Sequence, residues 1–486
     1  MTLLKESLYD HSRVAHDTST PRHRFGHAAP RGRANRRVFF AVACLAFLTR
    51  VSVLGVNLHR DEPRFLVPDS HTYIKTAASL ETRGGVVDDA GKATWGRVPA
   101  YPALLALLFA TGAASPERLE GAVFLQCLLG AGLVLIAARS AHVLPGGGGI
   151  WPLGLLLSVE PSLIAYSNLI LSEIPYALVL LLAFIAWNRY QTRKDTRSLL
   201  GLAVAVGLLP LIRPIGVYFP LILLLLLLAR EGWSRAQARR LVLFTIIAIT
   251  PAIAWSWRNY AELGSFTLHS TGSWAQAIFA HDVNGLIGRA DLSQPDGILQ
   301  PWEAGFGTDQ GFSPREILSL QSGFFRDTVA AHPLAAARLW TVNALLILGV
   351  PDNRLAAILL ENPPVVPEGQ IVARLLWVAR LGPLAAQVVL GMAISLGGLA
   401  SIPWILARWR LWDPRMRSAL EFVLLAVLYH AALSSFVTQQ AERYRVPVIP
   451  FLAMLFVCGL GLLTRRAAFE ARADLPAIQE SPIPRG

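Results

Sequence analysis

Long apolar segments separated by short polar ones recur along this chain from residue 38 to residue 464. Many of them approach the ~20 residues that an α-helix needs to cross a hydrocarbon core of ~30 Å. The clearest segments are 38–57, 120–138, 150–168, 175–188, 241–256, 376–406, 418–437 and 447–464. This pattern predicts an all-α, polytopic integral membrane bundle of about 10–12 helices.

Three apolar segments depart from this simple pattern. Segment 99–113 is short and opens with two prolines, so we expect a re-entrant or interfacial helix there rather than a full span. Segment 198–230 has basic residues at both ends and is predicted to be a hairpin whose outer turn is Arg213-Pro214. Whether segment 338–350 crosses the membrane stays open.

Composition and charge fix the class of protein and its orientation. Hydrophobic residues make up 53% of the 486 residues, charged residues 16%, and the mean hydropathy is +0.46, which is too apolar for a soluble chain. The formal net charge of +12 is concentrated in short basic stretches between apolar segments. These stretches, near 31–37, 189–197, 230–240, 408–417 and 465–466, follow the positive-inside rule and are expected in the cytoplasm. The charge therefore indicates topology and argues against binding to nucleic acid.

The same orientation predicts the organisation of the chain. Residues 1–36 are polar and basic and are expected to form a disordered cytoplasmic tail. The membrane domain spans 37–464, and residues 465–486 form a second cytoplasmic tail. Residues 58–97 and 258–333 are expected on the outer side, the first as a loop and the second as an external loop domain.

Two carboxylates on the predicted outer side are candidate catalytic groups. Asp69 precedes a predicted amphipathic helix, Ser70 to Arg83, and Glu173 lies at the outer end of segment 175–188. Each also has a structural interpretation, because Asp69 is able to cap that helix and Glu173 suits a helix N-terminus. The functional interpretation is a pair of acids, of which one acts as a base and the other positions an acceptor or a cation.

Outward arginines are unusual under the positive-inside rule. Five of them adjoin external helix ends: Arg97, Arg213, Arg258, Arg443 and Arg445. Each alone is explained by snorkelling or by a salt bridge to Glu173, Glu262 or Glu442. Together they favour an anionic ligand, since a guanidinium group binds phosphate through two parallel hydrogen bonds. The external histidines have no metal-ligand spacing, so no metal site is predicted from them.

Five short motifs, in this order along the chain, resemble a known enzyme family. They are Asp-Ser-His-Thr-Tyr at 69–73, Arg-Val-Pro-Ala-Tyr-Pro at 97–102, Leu-Ser-Glu at 171–173, Trp-Arg-Asn at 257–259 and Glu-Arg-Tyr-Arg-Val-Pro at 442–447. With them the chain resembles polytopic glycosyltransferases of the C-type fold (GT-C). The nearest branch is that of the protein O-mannosyltransferases and the lipid A aminoarabinose transferase, glycosyltransferase families 39 and 83.

The resemblance implies a function and a set of site residues. Such enzymes transfer a sugar, with inversion, from a polyprenyl-phosphate donor to a lipid, glycan or protein acceptor at the outer face of the plasma (inner) membrane. It implies that Asp69 is the general base and that Glu173 is the second acid. The residues implied in substrate binding are Tyr73, Arg97, Tyr101, Arg213, Arg258, Asn259, Arg443, Tyr444 and Arg445. No cofactor is expected, although a divalent cation stays open. Ser70 stands where the family often has a second acid directly after the first Asp, and this departure argues against a metal requirement.

Two other classes of protein remain as alternatives. A transporter or flippase tends to have internal repeats and functional charges near the bilayer midplane, neither of which the sequence indicates. A glycan ligase or polymerase of cell-envelope lipids would share the outward arginines but would not need an acid in the first loop. Transfer of a sugar, as in lipopolysaccharide or protein glycosylation, is therefore the favoured interpretation.

Overall fold

A computed structural model describes most of the chain. It covers residues 32–60, 62, 64–88, 91–95, 97–144, 150–231, 234–269, 271–288, 313–349, 354–360, 385–437 and 441–473. Within these ranges the chain forms seventeen α-helices and no β-strand beyond a single bridge between Val87 and Ala93. The all-α prediction is confirmed. Most of the predicted N-terminal tail, residues 1–31, and the end of the predicted C-terminal tail lie outside the described residues.

The first nine helices lie before residue 232. They are α1 (Gly32–Leu58), α2 (Pro68–Arg83), α3 (Ala100–Ala110), α4 (Glu120–Ser140), α5 (Ile150–Ser158), α6 (Pro161–Ser167), α7 (Glu173–Arg193), α8 (Thr196–Ile212) and α9 (Phe219–Glu231). Short 3-10 turns follow α4 at Ala141–Val143 and α8 at Pro214–Tyr218. The predicted amphipathic helix in the first external segment is therefore present as α2.

Eight further helices complete the described chain. They are α10 (Arg235–Leu263), α11 (Thr271–Leu286), α12 (Pro314–Ala331), α13 (Pro333–Gly349), α14 (Arg354–Leu359), α15 (Ala385–Ala407), α16 (Pro414–Ser434) and α17 (Ile449–Ala473). A 3-10 segment, Ala441–Val448, leads into α17. The described parts of the predicted external loop domain are thus largely helical, and α11 and α12 pack beside α13 through Phe279, Val283 and Ala336.

Among the described residues, seven helices are long and apolar enough to cross a membrane. The number is eight if α12 and α13, which meet at an angle of 108° at His332, together form one span. The expected number of ten to twelve is higher because it counts apolar segments that form shorter helices, such as α8 with 17 residues. The helix α3 has only 11 residues and rises about 16 Å, roughly half of the hydrocarbon core. This length agrees with the expectation that segment 99–113 does not span the membrane.

The apolar segment 150–168 is not one continuous span, contrary to the prediction. It divides at Val159 and Glu160 into α5 and α6, because Pro161 has no N–H to continue the ladder of α5. The Glu160 carboxylate instead caps α6 by accepting a hydrogen bond from the Leu163 N–H at 2.6 Å. After α6 the backbone stays irregular as far as Glu173, and Ile170 N–H donates to Phe65 O at 3.0 Å. This bond joins the residues just before Glu173 to the residues just before Asp69.

The predicted hairpin between α8 and α9 is confirmed, with Arg213 at its turn. Gly216 lies so close to the end of α8 that a Cβ atom would come within 2.8 Å of the Leu209 carbonyl carbon. The Tyr429 hydroxyl donates to Ile215 O and accepts from Tyr218 N–H at 3.2 Å. These contacts hold the turn, and with it Arg213, in one position against α16.

Candidate active site

Asp69 lies in the first turn of α2 and faces two arginines from distant parts of the chain. One carboxylate oxygen accepts a hydrogen bond from Arg97 Nη2 at 2.8 Å, and the other accepts from Arg443 Nη1. The Asp69 side chain is 32% exposed, whereas those of Arg97 and Arg443 are 13% and 8% exposed. Asp69 is therefore held firmly but stays accessible to a substrate.

The N-cap interpretation of Asp69 is wrong. The helix begins at Pro68, one residue before Asp69, and its first free N–H, that of Val67, donates to the hydroxyl of Ser70 at 3.0 Å. Capping by Ser70 leaves the Asp69 carboxylate for the arginines. The sequence suggested a start at Ser70, but a proline at the first helical position is equally favourable.

Glu173 lies behind Asp69 and is fully buried. Its Oε1 accepts a hydrogen bond from Arg443 Nε and forms an ion pair with Arg213 Nη1 at 2.6 Å. Arg443 therefore bridges the two acids. Within the part of the chain that the structure describes, Glu173 Oε2 is buried and makes no hydrogen bond. This burial makes Glu173 an anchor for the arginines rather than a group that meets a substrate directly.

The charges of this acid–arginine cluster, formed by Asp69, Glu173, Arg97, Arg213 and Arg443, do not balance. Two carboxylates and three guanidinium groups leave one net positive charge in the cluster. Three of these side chains are at most 8% exposed, and charges out of water attract opposite charge more strongly than exposed ones. The cluster therefore favours an anion beside an exposed carboxylate.

The pKa of Asp69 is held well below its usual range by these neighbours. Burial alone would raise it, but the charges of Arg97 and Arg443 and their hydrogen bonds outweigh the burial. Asp69 is therefore ionised throughout the physiological pH range. The same bonds make it a weak base for as long as both arginines stay in contact with it.

Aromatic side chains surround the acid–arginine cluster. The Arg97 guanidinium lies 4.9 Å from the centre of the Tyr73 ring, and the Arg213 guanidinium lies 5.4 Å from that of Tyr444. Tyr73 packs edge-on against Tyr101 at 5.0 Å, and its hydroxyl bonds Ser172 Oγ at 2.9 Å. The Tyr101 hydroxyl donates in turn to Gln126. The structure thus brings all three tyrosines expected from the sequence to the cluster or directly behind it.

Two residues expected in substrate binding are engaged in a different contact. Arg258 donates to the carbonyl oxygens of Val86 at 2.8 Å and Thr94 at 3.0 Å, the two ends of the small bridged turn in the first external segment. Asn259 is buried and donates to the carbonyls of Thr267 and Leu268. Their contacts join the C-terminal end of α10 to residues 86–94 and 267–268 and include neither Asp69 nor Glu173.

Arg445 also differs from expectation. Its guanidinium bonds Ser162 Oγ at 3.4 Å, and its charge acts on Glu160 at the start of α6. Arg443, two residues earlier in the same 3-10 segment, instead bonds Asp69 and Glu173, so the two arginines serve different clusters. A fully buried Arg50 in α1 belongs to the same region as Arg445 and bonds Ser167. Sequence reasoning missed Arg50 and Glu160, although a charge inside an apolar segment is a usable signal.

Metal ligation by histidine, cysteine or carboxylate clusters is not seen in the described ranges, where no three such residues come together. The oxygen atoms of Asp69 that a cation would need are both bonded to arginine.

Replacing Arg97 by Gln is expected to raise the pKa of Asp69, because it removes one of the two positive charges that stabilise the ionised form. Protonation of Asp69 should then occur at higher pH than in the wild type. Infrared titration of the carboxylate band, with Asp69→Asn used to identify the signal, measures this shift. The matched control is Arg83→Gln on the exposed end of the same helix, which should leave the titration unchanged. An unshifted band in Arg97→Gln would mean that this ion pair does not control Asp69.

Comparison with known proteins identifies the fold. No family model and no curated protein matches the chain. Among solved structures, the chain is similar to the oligosaccharyltransferase of Archaeoglobus fulgidus in its apo form, with a TM-score of 0.51 and 13% sequence identity. The match covers 90% of this chain and 51% of that protein, so the chain spans about half of its length. At this identity the likeness concerns the fold, and the chain is a polytopic membrane protein with the GT-C fold.

Proposed function

We propose that this protein is a membrane glycosyltransferase that moves a sugar from a polyprenyl-phosphate donor to a hydroxyl acceptor at the extracytoplasmic face. The observation that carries the proposal is the partly exposed Asp69 between Arg97 and Arg443, with Arg213 and Glu173 behind it. A base beside an excess of positive charge is what transfer from a phosphate leaving group requires. The shared fold with an oligosaccharyltransferase supports the same class of reaction.

The proposed reaction is a single displacement at the anomeric carbon. Asp69 accepts the proton of the acceptor hydroxyl while the acceptor oxygen forms a bond to that carbon. The bond between the anomeric carbon and the phosphate oxygen breaks, and its electron pair leaves with the lipid phosphate. One displacement inverts the configuration, so one base is sufficient and no covalent intermediate with the protein forms.

The arginines have separate proposed roles in this step. Arg213 and Arg443 stabilise the charge that develops on the departing phosphate, because guanidinium groups bind phosphate bidentately and stay protonated. Arg443 also bonds Asp69, so a phosphate that draws Arg443 away raises the basicity of Asp69 when the donor is bound. Arg97 stays on Asp69 and keeps it in place. Donor binding would thus convert a weak base into a stronger one.

Arg258 and Arg445 receive no phosphate-binding role in this proposal. The guanidinium of Arg258 is bonded to two backbone carbonyls, and that of Arg445 lies beside Ser162 and Glu160. Both residues join structural segments next to the cluster, so their replacement is expected to affect stability before it affects donor affinity.

The proposal is tested by assaying the purified protein in lipid nanodiscs with radiolabelled polyprenyl-phosphate sugars and, in parallel, with nucleotide sugars. Transfer is expected only from the lipid-linked donors. Arg213→Gln should raise the donor KM about tenfold or more, since hydrogen bonds to a charged group contribute about 1.5–3 kcal/mol. The exposed Arg83→Gln serves as a control with an unchanged donor KM.

Three results would contradict the proposal. Transfer from nucleotide sugars alone would show that the donor is a nucleotide sugar and not a polyprenyl-phosphate sugar. Movement of whole glycans between carriers without transfer of single sugars would favour the ligase alternative. Translocation of labelled lipid across nanodisc-derived vesicles without any product would favour a flippase.

A further inference from the structure

A second cavity with a basic wall lies at the outer end of α1, separate from the acid–arginine cluster. Its volume is about 910 Å³. Three segments line it: the end of α1 with the residues that follow, the irregular stretch at Leu169, and the short helix α14. None of the five charged residues of the acid–arginine cluster lines it.

The wall of this cavity is divided between charge and apolar surface. Arg60, Arg64 and Arg354 contribute three guanidinium groups, and Glu62 contributes one carboxylate. Val67, Leu169 and Ala357 belong to its apolar part. A site of this composition suits a ligand that carries both a negative charge and a hydrocarbon group.

Part of the basic wall also has a structural role. Arg60 Nη2 donates to Leu359 O, and Arg64 Nη1 donates to the carbonyls of Ala357 and Leu360, each at 2.6 Å. These bonds satisfy the free carbonyls at the end of α14. The bond from Arg60 uses one of the five donors of its guanidinium. The buried Arg60 Nε makes no hydrogen bond within the described residues.

The cavity adjoins the acid–arginine cluster through the backbone. Val67 lies two residues before Asp69, and Leu169 lies four residues before Glu173. The Ile170 N–H bond to Phe65 O fastens these two segments together. A ligand in the cavity would therefore lie along the segments that carry both acids.

We propose that this cavity binds the phosphate head group of a lipid-linked acceptor. The inference rests on the proposed function, since an acceptor is needed only if the protein transfers a group. It adds the chemical class of the acceptor: an amphiphile with a phosphate that is not the leaving group.

The geometry of displacement assigns the cavity to the acceptor rather than to the donor. An acceptor oxygen attacks the anomeric carbon from the side opposite to the departing phosphate, so the two substrates need separate sites. The acid–arginine cluster already supplies Arg213 and Arg443 for the departing phosphate. The cavity supplies different arginines for a second anion, and its apolar wall accommodates the adjoining chain.

Binding is tested by isothermal titration of the full chain in detergent with hexyl phosphate, inorganic phosphate and hexanol. Hexyl phosphate is expected to bind most tightly, because only it uses both the basic and the apolar wall. Arg60→Gln and Arg354→Gln should each weaken its binding about tenfold. Ala357→Trp keeps every arginine and places a bulky side chain in the cavity, so it should weaken binding without removing a contact to α14.

Several outcomes would overturn the inference. Equal binding of inorganic phosphate and hexyl phosphate would show a site for free phosphate, and equal binding of hexanol would show that charge plays no part. Unchanged binding in either the arginine variants or Ala357→Trp would place the ligand elsewhere. Loss of binding in Arg443→Gln, with the cavity variants unaffected, would place it in the acid–arginine cluster.

A kinetic measurement separates this inference from the proposed function. Arg60→Gln should raise the KM for a phosphorylated lipid acceptor about tenfold and leave the donor KM unchanged. The reverse pattern would assign the cavity to the donor and overturn the inference. The titration requires no turnover, so a protein that binds hexyl phosphate in the cavity but transfers no sugar would refute the proposed function alone.

Discussion

Replacing Asp69 by Asn is expected to lower the rate of sugar transfer by about 10²–10⁴-fold, the usual contribution of a general base. Asn has the shape of Asp but cannot accept the acceptor's proton. It also removes a negative charge from a cluster that already has one net positive charge. The donor KM should therefore stay within a fewfold of the wild type or fall, while kcat collapses. Initial rates with a radiolabelled polyprenyl-phosphate sugar measure both quantities.

The matched control is Glu81→Gln, which changes an exposed acid at the other end of the same helix. It should retain the wild-type kcat. The melting temperature of each variant in detergent separates a chemical defect from a loss of fold. Full transfer by a folded Asp69→Asn protein would remove Asp69 from the role of base.

Replacing Glu173 by Ala is expected to lower the free energy of unfolding by about 3–5 kcal/mol, because it leaves Arg213 and Arg443 without their buried counter-charge. Loss of transfer should accompany the destabilisation, since Arg443 is then no longer held beside Asp69. Chemical or thermal unfolding in detergent measures the stability. Glu173→Gln should lower the free energy of unfolding less than Glu173→Ala does, because it keeps the side-chain volume and one hydrogen-bond acceptor.

Two further variants show whether the effect comes from charge. Glu421 forms an ion pair with Arg230 in which both side chains are about a quarter exposed. Because water screens this pair, Glu421→Gln should lower the free energy of unfolding far less than the Glu173 variants do. Adding Arg213→Met to Glu173→Gln removes one unpaired positive charge and should recover part of the lost stability. If the double variant is less stable than the sum of the single changes predicts, the buried ion pair is not the cause.

Local patterns predicted the elements that carry the site. The amphipathic spacing after residue 69 predicted α2, the prolines of segment 99–113 indicated a short helix, and Arg213-Pro214 indicated a turn. Each feature depends on residues a few positions apart, so periodicity and proline chemistry are sufficient to detect it. The positive-inside rule also identified the unusual arginines, although it gave no information about their partners.

Other features depended on contacts that sequence patterns do not contain. The mean hydropathy of segment 150–168 predicted one span, yet the buried Glu160, which caps α6, and Pro161 divide it. Arg443 and Arg445 are indistinguishable in a hydropathy profile, but a 3-10 segment directs one to Asp69 and Glu173 and the other to Ser162. The sequence pattern that marked Arg258 as a candidate phosphate ligand gave no sign of the two backbone carbonyls that its guanidinium bonds in the structure. In each case the contacts of the side chain depend on which groups the folded chain places beside it.

The sequence by itself indicated a helical membrane protein and singled out Asp69 and Glu173 as unusual acids, because hydrophobic length and charge asymmetry act locally. The direction in which the helices cross the membrane stays a prediction from the positive-inside rule. Only the tertiary structure decided that these acids share Arg443 and that a basic cavity adjoins the site. Residues 69, 173 and 443 are far apart along the chain, and only packing of the bundle brings them within hydrogen-bonding distance. Buried charges must find partners at short range, so the fold selects the pairs from the many that the sequence allows.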